Sequence, residues 1–215
     1  MESYFYKTIR IFTYIFIGIL FVGIVNNLNI EHRYTNNKLF NTYIQKADII
    51  NNFVSRIQIT DISAIFEDRK QRDKTEFIII HHSAGESDLL NIDKYHKSKG
   101  FKNIAYTYFI NSESKIFQLH DIKAVNPSAF AYNYNSVSIC LQGNFDINQV
   151  HKSQYKALFK LCLKLKRIFP EAQIVGHNEI GHTNCPGKNL NIEKLKSKVN
   201  SFHYLNILNN GNRKY

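Results

Sequence analysis

The chain has 215 residues, 44% of them hydrophobic and 21% charged, which suits one globular domain plus a further segment and excludes an intrinsically disordered chain. Its formal net charge of +11 favours anionic partners such as nucleic acid, a membrane surface or anionic wall polymers, although the basic residues are scattered rather than gathered into a run. Three cysteines, Cys140, Cys162 and Cys185, are too few for a disulfide-stapled scaffold.

Residues 9–25, IRIFTYIFIGILFVGIV, are almost wholly apolar, with Lys7 just before the run and Arg10 at its start. The run is slightly shorter than the ~20 residues that span a hydrocarbon core, so it fits either a signal-peptide core or a short transmembrane helix. No small-residue cleavage site follows it. The expectation is therefore an uncleaved, single-pass anchor over residues 1–28 in a cell membrane. Flanking charge leaves its orientation open, and by analogy with signal anchors the rest of the chain lies on the periplasmic or extracellular side. Residues 29–74 are polar, with short apolar patches, and are expected to form a partly helical stalk. The folded domain is expected over 75–200 and a tail over 201–215.

Within 75–200 the periodicity changes. TEFIII is a β-branched run, predicted as a buried strand that ends in His81 and His82. Residues 90–98 fit a helix stopped by Gly100. Residues 105–110 and 116–119 are predicted strands joined by a turn, and 137–141 is another. Tyr155, Leu158, Cys162, Leu165 and Phe169 recur at helical spacing, with lysines on the other face and Pro170 beyond. Residues 173–175 form a short predicted strand ahead of Gly176 and His177, and 192–199 a last helix. The order β-α-β-β-β-α-β-α predicts an α/β fold, a mixed central β-sheet flanked by helices.

The chain has nine histidines, so position must separate them. His81 and His177 each follow a predicted strand, where α/β sheets build their sites. Cys185 follows in HNEIGHTNCPGK. Two imidazoles and a thiolate suit tetrahedral zinc, and three protein ligands leave a position for water, which marks a catalytic site. Spacing alone leaves plainer readings open, with each histidine a satisfied strand-end polar residue and Cys185 an inert loop thiol. A purely structural zinc site would want a fourth ligand, and only His182 offers one. Cys140 and Cys162 lie in apolar patterns and read as small buried hydrophobes.

Residues 77–199 resemble the type 2 N-acetylmuramoyl-L-alanine amidase family, which includes the amidase-type phage lysozymes and the animal peptidoglycan recognition proteins. Four stretches carry the resemblance in the family's order: IIIHHSA, YHKSKGFKNIAYTYFI, YNYNSVSICLQGNFD and GHNEIGHTNCPGKNL. The resemblance implies a Zn2+ cofactor held by His81, His177 and Cys185, with His82 on the opposite side of its strand. It implies that Tyr106 is the active-site tyrosine. Thr183 stands where the phage enzymes carry lysine and the recognition proteins threonine, so its hydroxyl can donate to an oxyanion but supplies no positive charge. Cys140 occupies a position where some recycling amidases place a catalytic glutamate, and Ser128 one where many members carry histidine. Asn135 is a weaker expectation, at the edge of the substrate walls 84–90 and 126–134.

The implied activity is zinc-dependent hydrolysis of the amide between N-acetylmuramic acid and L-alanine, in peptidoglycan or its muropeptide fragments. The alternative is a non-catalytic peptidoglycan-binding module of the same fold, although such relatives typically lack the cysteine. No nucleic-acid motif accompanies the positive charge, so nucleic acid is not an expected partner.

Overall fold

The computed structural model describes residues 54–66 and 69–211, with side chains to Tyr204, and isolated helical positions at 42, 45, 49 and 52. The chain divides into two compact units, Met1–Lys46 and Ala47–Tyr215, and the sheet and helices described here belong to the second. The anchor expected over 1–28 lies outside the described residues. Among those described, no helix is long and apolar enough to cross a membrane.

Six strands form one sheet: β1 (Ile59–Asp61), β2 (Phe77–His82), β3 (Tyr108–Ile110), β4 (Ile116–Gln118), β5 (Ser136–Leu141) and β6 (Gln173–Gly176). Their spatial order is β1-β4-β3-β5-β2-β6. The β3–β4 hairpin is antiparallel and the other pairings are parallel, so the sheet is mixed as expected. The three consecutive isoleucines of β2 suit its place between β5 and β6, because stiff β-branched side chains pack well on both faces of a pleated strand.

Among the described residues, four α-helices pack with the sheet, α1 (Leu89–Ser98), α2 (Lys152–Ile168), α3 (His177–Ile180) and α4 (Ile192–Gly211), and a single 3-10 turn covers Ser63–Ile65. Asp88 caps α1, its carboxylate accepting the Asn91 N–H at 2.9 Å. Strand alternation divides the apolar residues between the two faces of the sheet. On one face Ile78, Ile80, Val137, Ile139 and Leu141 pack with Leu158, Leu161 and Leu165 of α2 and Leu195 and Val199 of α4. On the other face, Phe109 and Cys140 pack with Ile92 of α1, Ile104 and Leu119. His81 follows Ile79 on that second face, with Cys140 as its partner across β2–β5.

Three boundaries differ from expectation. The stretch 29–74, read as a stalk, supplies edge strand β1, which pairs in parallel with β4. Arg72 is also buried, and its Nη1 donates to the Ala124 carbonyl at 2.8 Å. A three-residue strand is too short for its alternation to stand out from polar surroundings. The last helix continues beyond Val199 into the stretch expected as a tail, since neither Gly nor Pro interrupts it before Gly211. Strand β3 begins at Tyr108, not at 105, because side chains rather than a neighbouring strand bind the backbone N–H groups of the preceding residues.

Candidate functional site

Strands β2, β5 and β6 run parallel, so their C-terminal ends open on one edge of the sheet, the position at which α/β folds build sites. His81 sits near the end of β2, and His177 begins α3 directly after β6. Cys185 lies in the loop after α3. One ligand atom from each of these three residues lies within 4.8 Å of the other two. The His81 and His177 rings are 4.6 Å apart between centroids, and Cys185 Sγ is 3.7 Å from His81 Nδ1.

Burial pushes the His81 imidazole well below its usual pKa, reinforced by the nearby His177, His82 and His96, and burial also lowers His177. Both rings are therefore held neutral, the form that offers a nitrogen lone pair. Burial pushes the Cys185 thiol up to about 12, against a lowering contribution from the His82 N–H. His81 Nε2 is buried with no hydrogen-bond partner in the protein. Two neutral imidazoles, one sulfur and an orphaned ring nitrogen fit the donor set of a metal ion, and the thiol would give up its proton on coordination.

The Cys185 loop is fixed at several points. Asn178 N–H donates to the Cys185 carbonyl at 2.6 Å, tying the loop to α3. The Cys185 N–H donates to Thr183 Oγ1 at 3.1 Å, and the His82 N–H reaches Cys185 Sγ at 3.3 Å. Beyond the cysteine, Gly187 has φ +93°, a backbone conformation suited to glycine. A Cβ there would lie 2.6 Å from Asp146 N and collide with the Phe145 carbonyl carbon. Asn189 N–H donates to that Phe145 carbonyl at 2.9 Å. The Phe145 N–H in turn donates to His82 Nδ1 at 3.1 Å.

Tyr106 stands beside the cluster, its ring centroid 5.2 Å from His81 and 5.3 Å from His96. Burial holds its phenol well above the usual pKa, with further upward pressure from Cys140 and Cys185, so the hydroxyl keeps its proton. Cys140 is fully buried, and its Sγ lies 3.8 Å from the Leu141 carbonyl oxygen. Tyr108 lies on the other face, where its hydroxyl donates to Gln118 Oε1 at 3.0 Å.

His81, His177, Cys185, Tyr106 and Thr183 thus gather at one end of the sheet. His182 is exposed and outside the cluster. Asn135 is not brought there. It precedes β5 at the opposite end of the parallel strands, where its Nδ2 donates to Glu76 Oε2 at 2.9 Å and its carbonyl accepts the Glu76 N–H at 2.7 Å. Asn135 therefore fixes the start of β2. Sequence reading missed the Phe145–Gly187 contact, for which the glycine in CPGK was the available signal. It also missed His96 behind Tyr106, placed one helical turn after buried Ile92.

The profile of the N-acetylmuramoyl-L-alanine amidase family matches residues 71–188, more than half of the chain. The chain is 29% identical to the endolysin of Escherichia phage T7 over 131 residues, covering 56% of this chain and 86% of that one. It is 27% identical to peptidoglycan-recognition protein SC2 of Drosophila melanogaster over 127 residues, 53% of this chain and 69% of that one. Its fold is similar to that of the endolysin N-acetylmuramoyl-L-alanine amidase LysCS of Clostridium intestinale. The TM-score is 0.61 at 24% identity, covering 66% of this chain and 95% of that one.

Proposed function

The chain belongs to the N-acetylmuramoyl-L-alanine amidase family, and on that premise we propose that it hydrolyses the amide joining N-acetylmuramic acid to L-alanine in peptidoglycan or its fragments, with zinc held by His81, His177 and Cys185. The observation that carries this reading is the convergence of those three ligand atoms within 4.8 Å beside a partly buried, protonated tyrosine.

Each side chain has a definite task. His81 and His177, kept neutral by burial, present nitrogen lone pairs, and Cys185 presents sulfur on a loop pinned to α3 and to β2. A zinc ion held there would polarise the scissile carbonyl and lower the pKa of a water to about 7. Tyr106 donates its phenolic hydrogen to the oxygen that gains charge as the carbonyl is attacked. Thr183 assists: its Oγ1 accepts the Cys185 N–H, which leaves the hydroxyl proton to donate outward. Removing one donor from such a site costs about 10²–10³ in rate in well-studied hydrolases. The buried Cys140 offers no carboxylate, so proton transfer does not run through that position.

The apolar run 9–25 is read as an anchor that keeps the domain on the outer side of a membrane, where peptidoglycan lies. The net charge of +11 suits an anionic wall.

The test is incubation of the protein with purified peptidoglycan, with and without a zinc chelator, and mass spectrometry of the soluble products. Stem peptides beginning with L-alanine, lost with the chelator and in Cys185→Ala, support the amidase. Tight sedimentation on the polymer without release would make the chain a peptidoglycan-binding module.

A further inference from the structure

Tyr106 is carried by a stretch that belongs to no strand, and side chains satisfy the backbone around it. Asp93 Oδ1 accepts the Ile104 N–H at 2.8 Å, and His96 Nδ1 accepts the Ala105 N–H at 3.0 Å. The Ile104 carbonyl accepts from His120 Nε2 at 2.8 Å and from Arg69 Nη2 at 3.2 Å. On the far side of Tyr106, the Thr107 N–H donates to Ser138 Oγ at 3.1 Å. Ile104, Ala105 and Thr107 are almost fully buried, so water cannot replace these partners.

Asp93 and His96 stand three residues apart on α1, hence on one helical face. The His96 ring also packs against the Tyr106 ring, at 5.3 Å between centroids, and meets Phe101 edge-on at 5.7 Å. An Nδ1 that accepts a hydrogen bond requires a neutral ring with its proton on Nε2. Burial, which lowers the His96 pKa, maintains that form.

We propose that Asp93 and His96 of α1 are positioning residues for Tyr106. They hold the Ile104 and Ala105 N–H groups, and the His96 ring backs the phenol, so the helix fixes where the hydroxyl stands beside His81. Neither residue reaches the reacting atoms. Their contribution depends on the amidase reading, because it is delivered through Tyr106. A donor displaced by about 1 Å can lose a hundredfold in rate, so a cradle of this kind has a kinetic effect out of proportion to its size.

Two substitutions separate the parts of the cradle. His96→Phe keeps a ring and removes the acceptor, and His96→Asn keeps an acceptor at similar reach and removes the ring. The full chain, labelled with 3-fluorotyrosine, is read by 19F NMR, with the Tyr106 resonance assigned from Tyr106→Phe. Turnover is measured on soluble muropeptide. His96→Phe is expected to move or broaden the Tyr106 resonance and to lower kcat about tenfold or more at little-changed KM. It is expected to add no loss in the Tyr106→Phe background, and His96→Asn should recover part of kcat. An unmoved Tyr106 resonance, or losses that multiply in the double variant, overturns the proposal. If His96→Phe does not fold, Asp93→Ala, which frees the Ile104 N–H, is read on the same resonance with the same two outcomes. If the wild-type chain turns nothing over, the amidase reading fails, while the resonance still decides the positioning.

Discussion

The His82 backbone N–H points at Cys185 Sγ from 3.3 Å, while the His82 ring, on the other side of the strand, accepts the Phe145 N–H at 3.1 Å. One residue thus touches a candidate metal ligand with its main chain and the loop behind that ligand with its side chain. His82→Phe leaves the Phe145 N–H buried and unpaired, which should cost about 1–3 kcal/mol. Urea unfolding at neutral pH measures that loss. The backbone contact to sulfur survives the substitution, so metal affinity should fall less than stability.

Gly187→Ala should act in the opposite proportion. At φ +93° an alanine is strained, and its Cβ would strike the Phe145 backbone, so the loop must shift. The displacement reaches Cys185 two residues earlier. Zinc affinity, measured by competition with a chromogenic chelator, is expected to fall at least tenfold, with a smaller decrease in unfolding midpoint.

On the proposed reading, removing one of the three candidate ligands should abolish zinc binding. Cys185→Ala or His177→Ala is expected to copurify without stoichiometric zinc by mass spectrometry of the metal, and to release no stem peptide. Thr183→Val should retain zinc and lose rate by roughly 10²-fold, the usual cost of one oxyanion donor. Loss of zinc from Thr183→Val would place the hydroxyl in loop support instead.

Acid should destabilise the fold before its carboxylates titrate. His120 is buried, donates from Nε2 to the Ile104 carbonyl, and is held down at about 4 against an ordinary 6.5, chiefly by burial. A depressed histidine pKa means that the unfolded chain takes up the proton first. Stability from this group is therefore complete above pH 6.5 and is lost as pH falls towards 4. Burial also lowers His82 and His96, so His120→Gln, which keeps a donor, should flatten the decline without abolishing it. Urea midpoints at several pH values between 7 and 4 check the slope.

Much of the site was legible because local pattern and strand position coincide. The isoleucine run of β2 ends at the C-terminal edge of the parallel strands β5, β2 and β6, so His81 falls where the candidate ligands gather. What the pattern could not carry was register and end. Asn135 stands beside a strand that passes the site, yet at the wrong end of it, roughly 16 Å back at ~3.3 Å per residue. Sequence adjacency to β5 gave no hint of that direction. Strand β1 was hidden because three residues cannot display alternation. The grip of α1 on Ile104 and Ala105 was hidden because a side chain bonding to a distant backbone leaves no periodic trace.

The separation of the candidate ligands along the chain has a consequence for assembly. His81 and Cys185 are 104 residues apart and meet only across the pairing of β2 with β6, the last strand to be synthesised. Such long-range parallel pairing is slow and costs loop entropy before it returns contacts. A nascent chain that has just completed β2 holds only one of the three candidate ligands, so the cluster stays unassembled until almost the whole sheet is in place.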